Sequence, residues 1–133
     1  MRNKVFKTSL ILFFVFCLIY TTVALLLVRQ PQGPGGGTRG DEPHYLIMSY
    51  SLWRNRDLEL TNNYKNKDWL EFHKQVALDP HVGRGKEGQM YPIHGLGLSL
   101  FILPFYFLAK VLAVRIFLGV IAALLVANIF LFC

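Results

Sequence analysis

The sequence predicts an all-α integral membrane protein: about three transmembrane helices, with an extracytoplasmic loop containing one or two amphipathic juxtamembrane helices. Three observations predict it. Of 133 residues, 53% are hydrophobic and only 17% charged, which is too apolar for an ordinary soluble domain. All eight Asp and Glu lie between Asp41 and Glu87, whereas Arg2, Lys4, Lys7, Lys110 and Arg115 flank apolar runs with no acid among them. Uncharged stretches at residues 9–28, 93–109 and 116–133 provide the spans. The formal charge of +6 is therefore a topology signal and not a nucleic-acid patch.

Residues 1–28 are expected to form a cytoplasmic N-terminus and transmembrane helix 1. The uncharged run at 9–28 is about as long as a helix needs to be to cross a ~30 Å hydrocarbon core. A cleaved signal peptide is the competing reading. The length of the run and the lack of a small-x-small cleavage site favour an uncleaved anchor. Residues 29–92 form the extracytoplasmic loop. It opens with QPQGPGGGTRG at 30–40, a flexible connector whose prolines and glycines suit no helix or strand interior.

A helix is then predicted from Asp41 to about Asn55. Asp41 or Glu42 can cap it, and Pro43 falls in its first turn, where a missing N–H costs least. Tyr45, Met48 and Leu52 lie on one face at helical spacing, so this helix is expected along the membrane surface, with Tyr50 and Trp53 at headgroup level or packed on neighbouring helices. Residues 68–78 suggest a second short amphipathic helix, ended at Asp79-Pro80. The stretch HVGRGKEG at 81–88 reads as a mobile loop.

Residues 93–133 are expected to hold transmembrane helices 2 and 3, joined by a short basic cytoplasmic turn around Lys110 and Arg115. Pro104 should kink the first of these, Gly95 and Gly97 should permit close helix contact, and Asn128 should bond between helices. The positive-inside rule places the N-terminus and that turn in the cytoplasm and the 29–92 loop outside. Cys17 and Cys133 sit in apolar runs and suggest neither a disulfide framework nor a metal site.

The chemistry-bearing candidates are Asp41 and Glu42. A carboxylate at a helix N-terminus meets the positive end of the dipole and is favoured ionised, as a general base requires. Arg39, Arg84 and Lys86, with His94 as a hydrogen-bond donor, are candidates for stabilising a departing phosphate. The plainer alternative is that Asp41 and Glu42 only cap a surface helix, and that His94 anchors a helix end at the interface. His44, His73, His81 and His94 show no metal-ligand spacing, so no metal or other cofactor is expected.

Asp-Glu-x-x-Tyr soon after the first span, Ser51-Leu52 and the run from Asp57 to Tyr64 form one set of signals. Tyr91-Pro92-Ile93-His94-Gly95-Leu96-Gly97 then opens an apolar run that contains Pro104 and Tyr106. In this order they resemble the N-terminal part of the GT-C superfamily of membrane glycosyltransferases, in the branch of protein O-mannosyltransferases and aminoarabinose transferases. The resemblance covers about residues 5–133. It implies transfer, with inversion, from a polyprenyl- or dolichyl-phosphate sugar to an extracytoplasmic acceptor. It further implies Asp41 as catalytic base with Glu42 beside it, and His94 near the donor phosphate. Some relatives can hold a divalent metal near this loop.

The superfamily has many more than three spans, so the chain is expected to be a fragment, inactive alone, whose partners are the lipid bilayer, the lipid-linked sugar and the rest of the transferase. A second hypothesis comes from a different class: a small non-catalytic multi-pass protein that binds a larger membrane partner.

Overall fold

The computed structural model of the protein describes residues 2–29, 38–74 and 77–132. Of the connector at 30–40, residues 30–37 lie outside them. The chain runs α1 (Arg2–Arg29), α2 (Glu42–Arg54), α3 (Thr61–Asn66), a 3-10 turn (Asp68–Glu71), β1 (Val82–Arg84), β2 (Met90–Pro92) and α4 (Leu96–Phe132). It is mostly helical, and two helices are long and apolar enough to cross a membrane, α1 over Asn3–Leu27 and α4.

A straight 37-residue α4 would place positions 101 and 117 about 24 Å apart at 1.5 Å per residue. Instead the rings of Phe101 and Phe117 are 5.0 Å apart, and Phe105 stacks on Phe117 at 3.6 Å. The chain folds back because Ala109 (φ −151°, ψ 38°) and Lys110 (φ 53°, ψ −141°) leave the helical region. Pro104, where the kink was expected, stays inside a continuous helix. The break falls where apolar sequence first meets a charge, and Lys110 is held there by an ion pair to Glu71.

Residues 111–132 pack antiparallel on α1. Ser9 Oγ donates to the Ala127 carbonyl at 2.9 Å, and a Cβ on Gly119 would meet Tyr20 Cβ at 2.9 Å. Ser9, Ala24, Ala123 and Ala127 are buried along this seam, small residues that let two backbones approach. Gly95 and Gly97, expected in such a role, face open space. Asn128, expected to bond between helices, donates to Leu124 O of its own helix.

The outer layer is built on α2. Its Leu46, Ile47 and Met48 are at most 1% exposed, so it is enclosed between α4 and the loop and not laid on a surface by a single apolar face. Ser49 Oγ donates to Ser99 O and Ser99 Oγ to Tyr45 O, each at 3.0 Å, fixing α2 to the first turn of α4. Trp53 packs on Phe107, ring centroids 3.8 Å apart. Leu60, Trp69, Phe72 and Leu78 complete one core with Ile102, Tyr106 and Val114.

Two loop expectations are corrected. Residues 68–78 form only the 3-10 turn at Asp68–Glu71, after α3 ends at Lys67 in the left-handed region (φ 59°); residues 75–76 lie outside the described ones. The stretch read as a mobile loop is one arm of an antiparallel hairpin, Val82 opposite Pro92 and Arg84 opposite Met90, so the fold is not purely helical. Gly88, at φ +85°, makes its turn. Met90 is pinned from outside the hairpin, its N–H donating to Glu59 and Thr61 and its carbonyl accepting from Leu60 N.

The turn expected on the face opposite the loop lies against the loop. Lys110 pairs with Glu71 and Arg115 with Glu42, contacts that cannot be made across a ~30 Å hydrocarbon core. Counting basic residues could not find this, because Lys110 and Arg115 are neutralised by acids 39 and 73 positions away.

Candidate functional site

Asp41 stands at the N-cap position of α2, in helical conformation and with no capping bond from its own side chain. Its carboxylate is 58% exposed and turns toward two imidazoles: His81 Nδ1 lies 3.7 Å and His94 Nε2 4.0 Å from Oδ1. The hairpin brings those two histidines together. Val82 pairs with Pro92 and Ile93 N–H donates to His81 O, so the residues just before β1 and just after β2 become neighbours. His81 Nδ1 and His94 Nε2 are 3.4 Å apart.

His44, on the first turn of α2, closes the cluster. Its ring stacks on His81 with centroids 4.0 Å apart and 12° between planes, and lies 5.4 Å from the His94 ring. Burial, with the charges of His81 and His94 adding to it and Asp41 opposing, pushes the His44 pKa down to about 4. At neutral pH its imidazole is therefore uncharged. Tyr64 OH sits 3.5 Å from His44 Nδ1, and burial, helped by Asp79, pushes its phenol up to about 12, so it remains protonated. Beside the cluster opens a cavity of ≈ 410 Å³ lined by Thr38, Arg39, Asp41, His44, His73 and His81, among others.

The two adjacent carboxylates have separate roles. Glu42 is gripped by Arg115 through a bidentate pair, Nε to Oε1 and Nη2 to Oε2, both at 2.8 Å. Arg39 N–H also points at Oε2, at 3.4 Å. That pattern fixes α2 to the second half of α4. Of the adjacent pair only Asp41 lines the cavity, where Asp79 is the other acid; a carboxylate so placed can take a proton from a bound hydroxyl.

Of the four other expected site residues, His94 joins Asp41 directly and Arg39 lines the same cavity. Arg84 and Lys86 are exposed on the hairpin and make no ion pair among the described residues. The histidines show no metal-ligand spacing along the sequence, yet in the fold one ligand atom from each of His44, His81 and His94 lies within 4.8 Å of the others. Sequence spacing missed this because separations of 37 and 13 residues match no local ligand motif, and only the hairpin register closes them. No family model, curated protein or solved structure matches the chain.

Proposed function

We propose that this chain is the N-terminal part of a membrane glycosyltransferase that moves a sugar from a polyprenyl- or dolichyl-phosphate donor to an extracytoplasmic acceptor, with Asp41 as general base. The observation that supports this most is the separation of the carboxylate pair. Arg115 holds Glu42 in a bidentate pair, while the Asp41 carboxylate is left largely exposed at a helix N-terminus, beside His81 and His94 and on the wall of a cavity of ≈ 410 Å³. A base must lie within reach of the proton it takes, and a cavity-facing carboxylate suits that role.

In this reading α1 and residues 111–132 cross the bilayer, with the N-terminus cytoplasmic and residues 38–95 outside, together with Lys110 and Arg115. Residues 96–108 rise only about 20 Å as a helix, short of a ~30 Å core, and carry exposed Leu98, Leu100, Phe101, Phe107 and Leu108; they lie at the interface. The cavity then opens at headgroup depth, where a lipid-linked donor presents its phosphate. Arg39, which lines the cavity, is the cation proposed to assist the departing phosphate.

One observation is compatible with the second reading, a non-catalytic protein docked on a larger membrane partner. Only 6% of the apolar window of α1 is buried, which leaves Phe6, Ile11, Phe14 and Leu18 facing outward. The rest of a transferase, lipid or a separate partner would cover them equally well.

The discriminating assay is transfer from polyprenyl-phosphate sugars in native membranes that carry the protein. Asp41→Asn is expected to lower transfer on the order of 100-fold or more at unchanged protein level. If that variant transfers normally while substitutions at Phe14 and Leu18 abolish co-purification with a membrane partner, the second reading replaces the first.

A further inference from the structure

We propose that His44, His81 and His94 form a three-histidine site for a zinc-class divalent cation, with its fourth coordination position opening beside Asp41 into the cavity. The inference stands on the donor geometry and does not depend on the glycosyl-transfer reading.

Two imidazole nitrogens on a tetrahedral zinc with bonds of 2.0–2.1 Å lie about 3.3 Å apart. His81 Nδ1 and His94 Nε2 are 3.4 Å apart, so one edge of the coordination polyhedron is already in place. His44 completes the set within 4.8 Å. To ligate, its ring leaves the stack on His81 and its nitrogen moves by roughly 1.5 Å, the difference between that spread and the tetrahedral edge.

The surroundings suit this role. Tyr64 OH faces His44 Nδ1, leaving Nε2 as the ligand atom and supplying the outer partner that orients a ligating histidine. The hairpin holds His81 and His94 by backbone pairing, and α2 holds His44 on a buried helix, so the three ligands come from supported elements. All-nitrogen donors select zinc and its borderline neighbours over magnesium or calcium, which require oxygen. Three protein ligands with one open position is the arrangement of a zinc that binds water or an anionic oxygen. Asp41 Oδ1, within 4.0 Å of both hairpin histidines, faces that position.

The test uses the full chain, without a polyhistidine tag, purified in detergent and stripped with chelator. Zn²⁺ is titrated by equilibrium dialysis, and Co²⁺ by the visible d–d absorption that marks tetrahedral coordination. One Zn²⁺ per chain is expected, with a tetrahedral Co²⁺ spectrum. His81→Gln and His94→Gln should each weaken binding by about 100-fold, the upper end of what even outer-sphere partners cost. His81 is exposed on the hairpin, so its variant keeps the fold, verified by circular dichroism. Absence of stoichiometric Zn²⁺ binding, or equal binding by wild type and the His81→Gln/His94→Gln pair, overturns the proposal. Because nothing in this readout involves sugar transfer, a metal-binding chain that transfers no sugar would retain the site and lose only the proposed function.

Discussion

The outer layer, residues 38–95 with the first turns of α4, and the helix pair of α1 with residues 111–132 are built on opposite rules. The outer layer buries large side chains such as Leu46, Ile47, Met48 and Leu60, all at most 1% exposed, and pins its backbone with side-chain hydrogen bonds, as a water-soluble domain does. The helix pair buries Ser9, Ala24, Ala123 and Ala127 and turns Leu18, Leu125 and Phe132 outward. Burying small residues and exposing large apolar ones suits helices set in apolar surroundings, and α1 and α4 are both long and apolar enough to cross a membrane. The candidate site belongs to the other part, which obeys the rules for water.

The difference is sharpest in paired truncations. Leu46→Ala removes a fully buried side chain and should destabilise the protein by about 2–5 kcal/mol. Leu18→Ala, on the outward face of α1, should change stability by less than ~0.5 kcal/mol. Thermal unfolding in detergent checks both, and equal losses would break the contrast.

Next in size is the joint between the regions. Glu42→Gln or Arg115→Gln leaves one half of a partly buried bidentate pair alone and should cost roughly 2–3 kcal/mol, somewhat less than a fully buried pair. The double variant should be less destabilised than the sum of the two, which a double-mutant cycle measures. Strict additivity would show that the pair does not join the regions.

The smallest expected effect is on the outer layer alone. His73 is buried against Thr38, with Thr38 Oγ1 and His73 Nδ1 2.9 Å apart, and burial lowers its pKa. The folded state therefore favours the neutral ring, so its contribution is complete above the unfolded value near ~6.5 and is lost as pH falls below it. The melting temperature of metal-stripped protein should fall with acidification through that window, and His73→Gln should flatten the slope. An unchanged slope would remove His73 from the account.

Much of this organisation is visible in the residues themselves. The apolar run at 9–28 yields α1. Asp41-Glu42-Pro43 marks the start of α2 within a residue, because proline chemistry in a first turn is local, although Asp41 makes no side-chain cap. Lys110 marks the interruption of α4, where the turn between two apolar runs is expected, whereas Pro104 introduces no break. What could not be read is everything that depends on distant pairing. The β1–β2 register joins His81 to His94, and Arg115 reaches back 73 positions to Glu42. Both follow from tertiary packing, which no window along the sequence contains. The resemblance already sets Asp41 apart as the expected base; that Arg115 holds Glu42 is visible only in the fold.

The proposed function requires Asp41 and its cavity at the extracytoplasmic surface, and the Lys110–Glu71 and Arg115–Glu42 pairs require the outer layer and the Lys110 turn to lie on one side of the membrane. Single-cysteine labelling in intact cells tests it directly, using Lys4→Cys, Lys86→Cys and Lys110→Cys with Cys17 and Cys133 replaced by serine. A membrane-impermeant maleimide is expected to label positions 86 and 110 in intact cells and position 4 only after permeabilisation. Labelling of position 110 together with position 4, and apart from position 86, would contradict the arrangement.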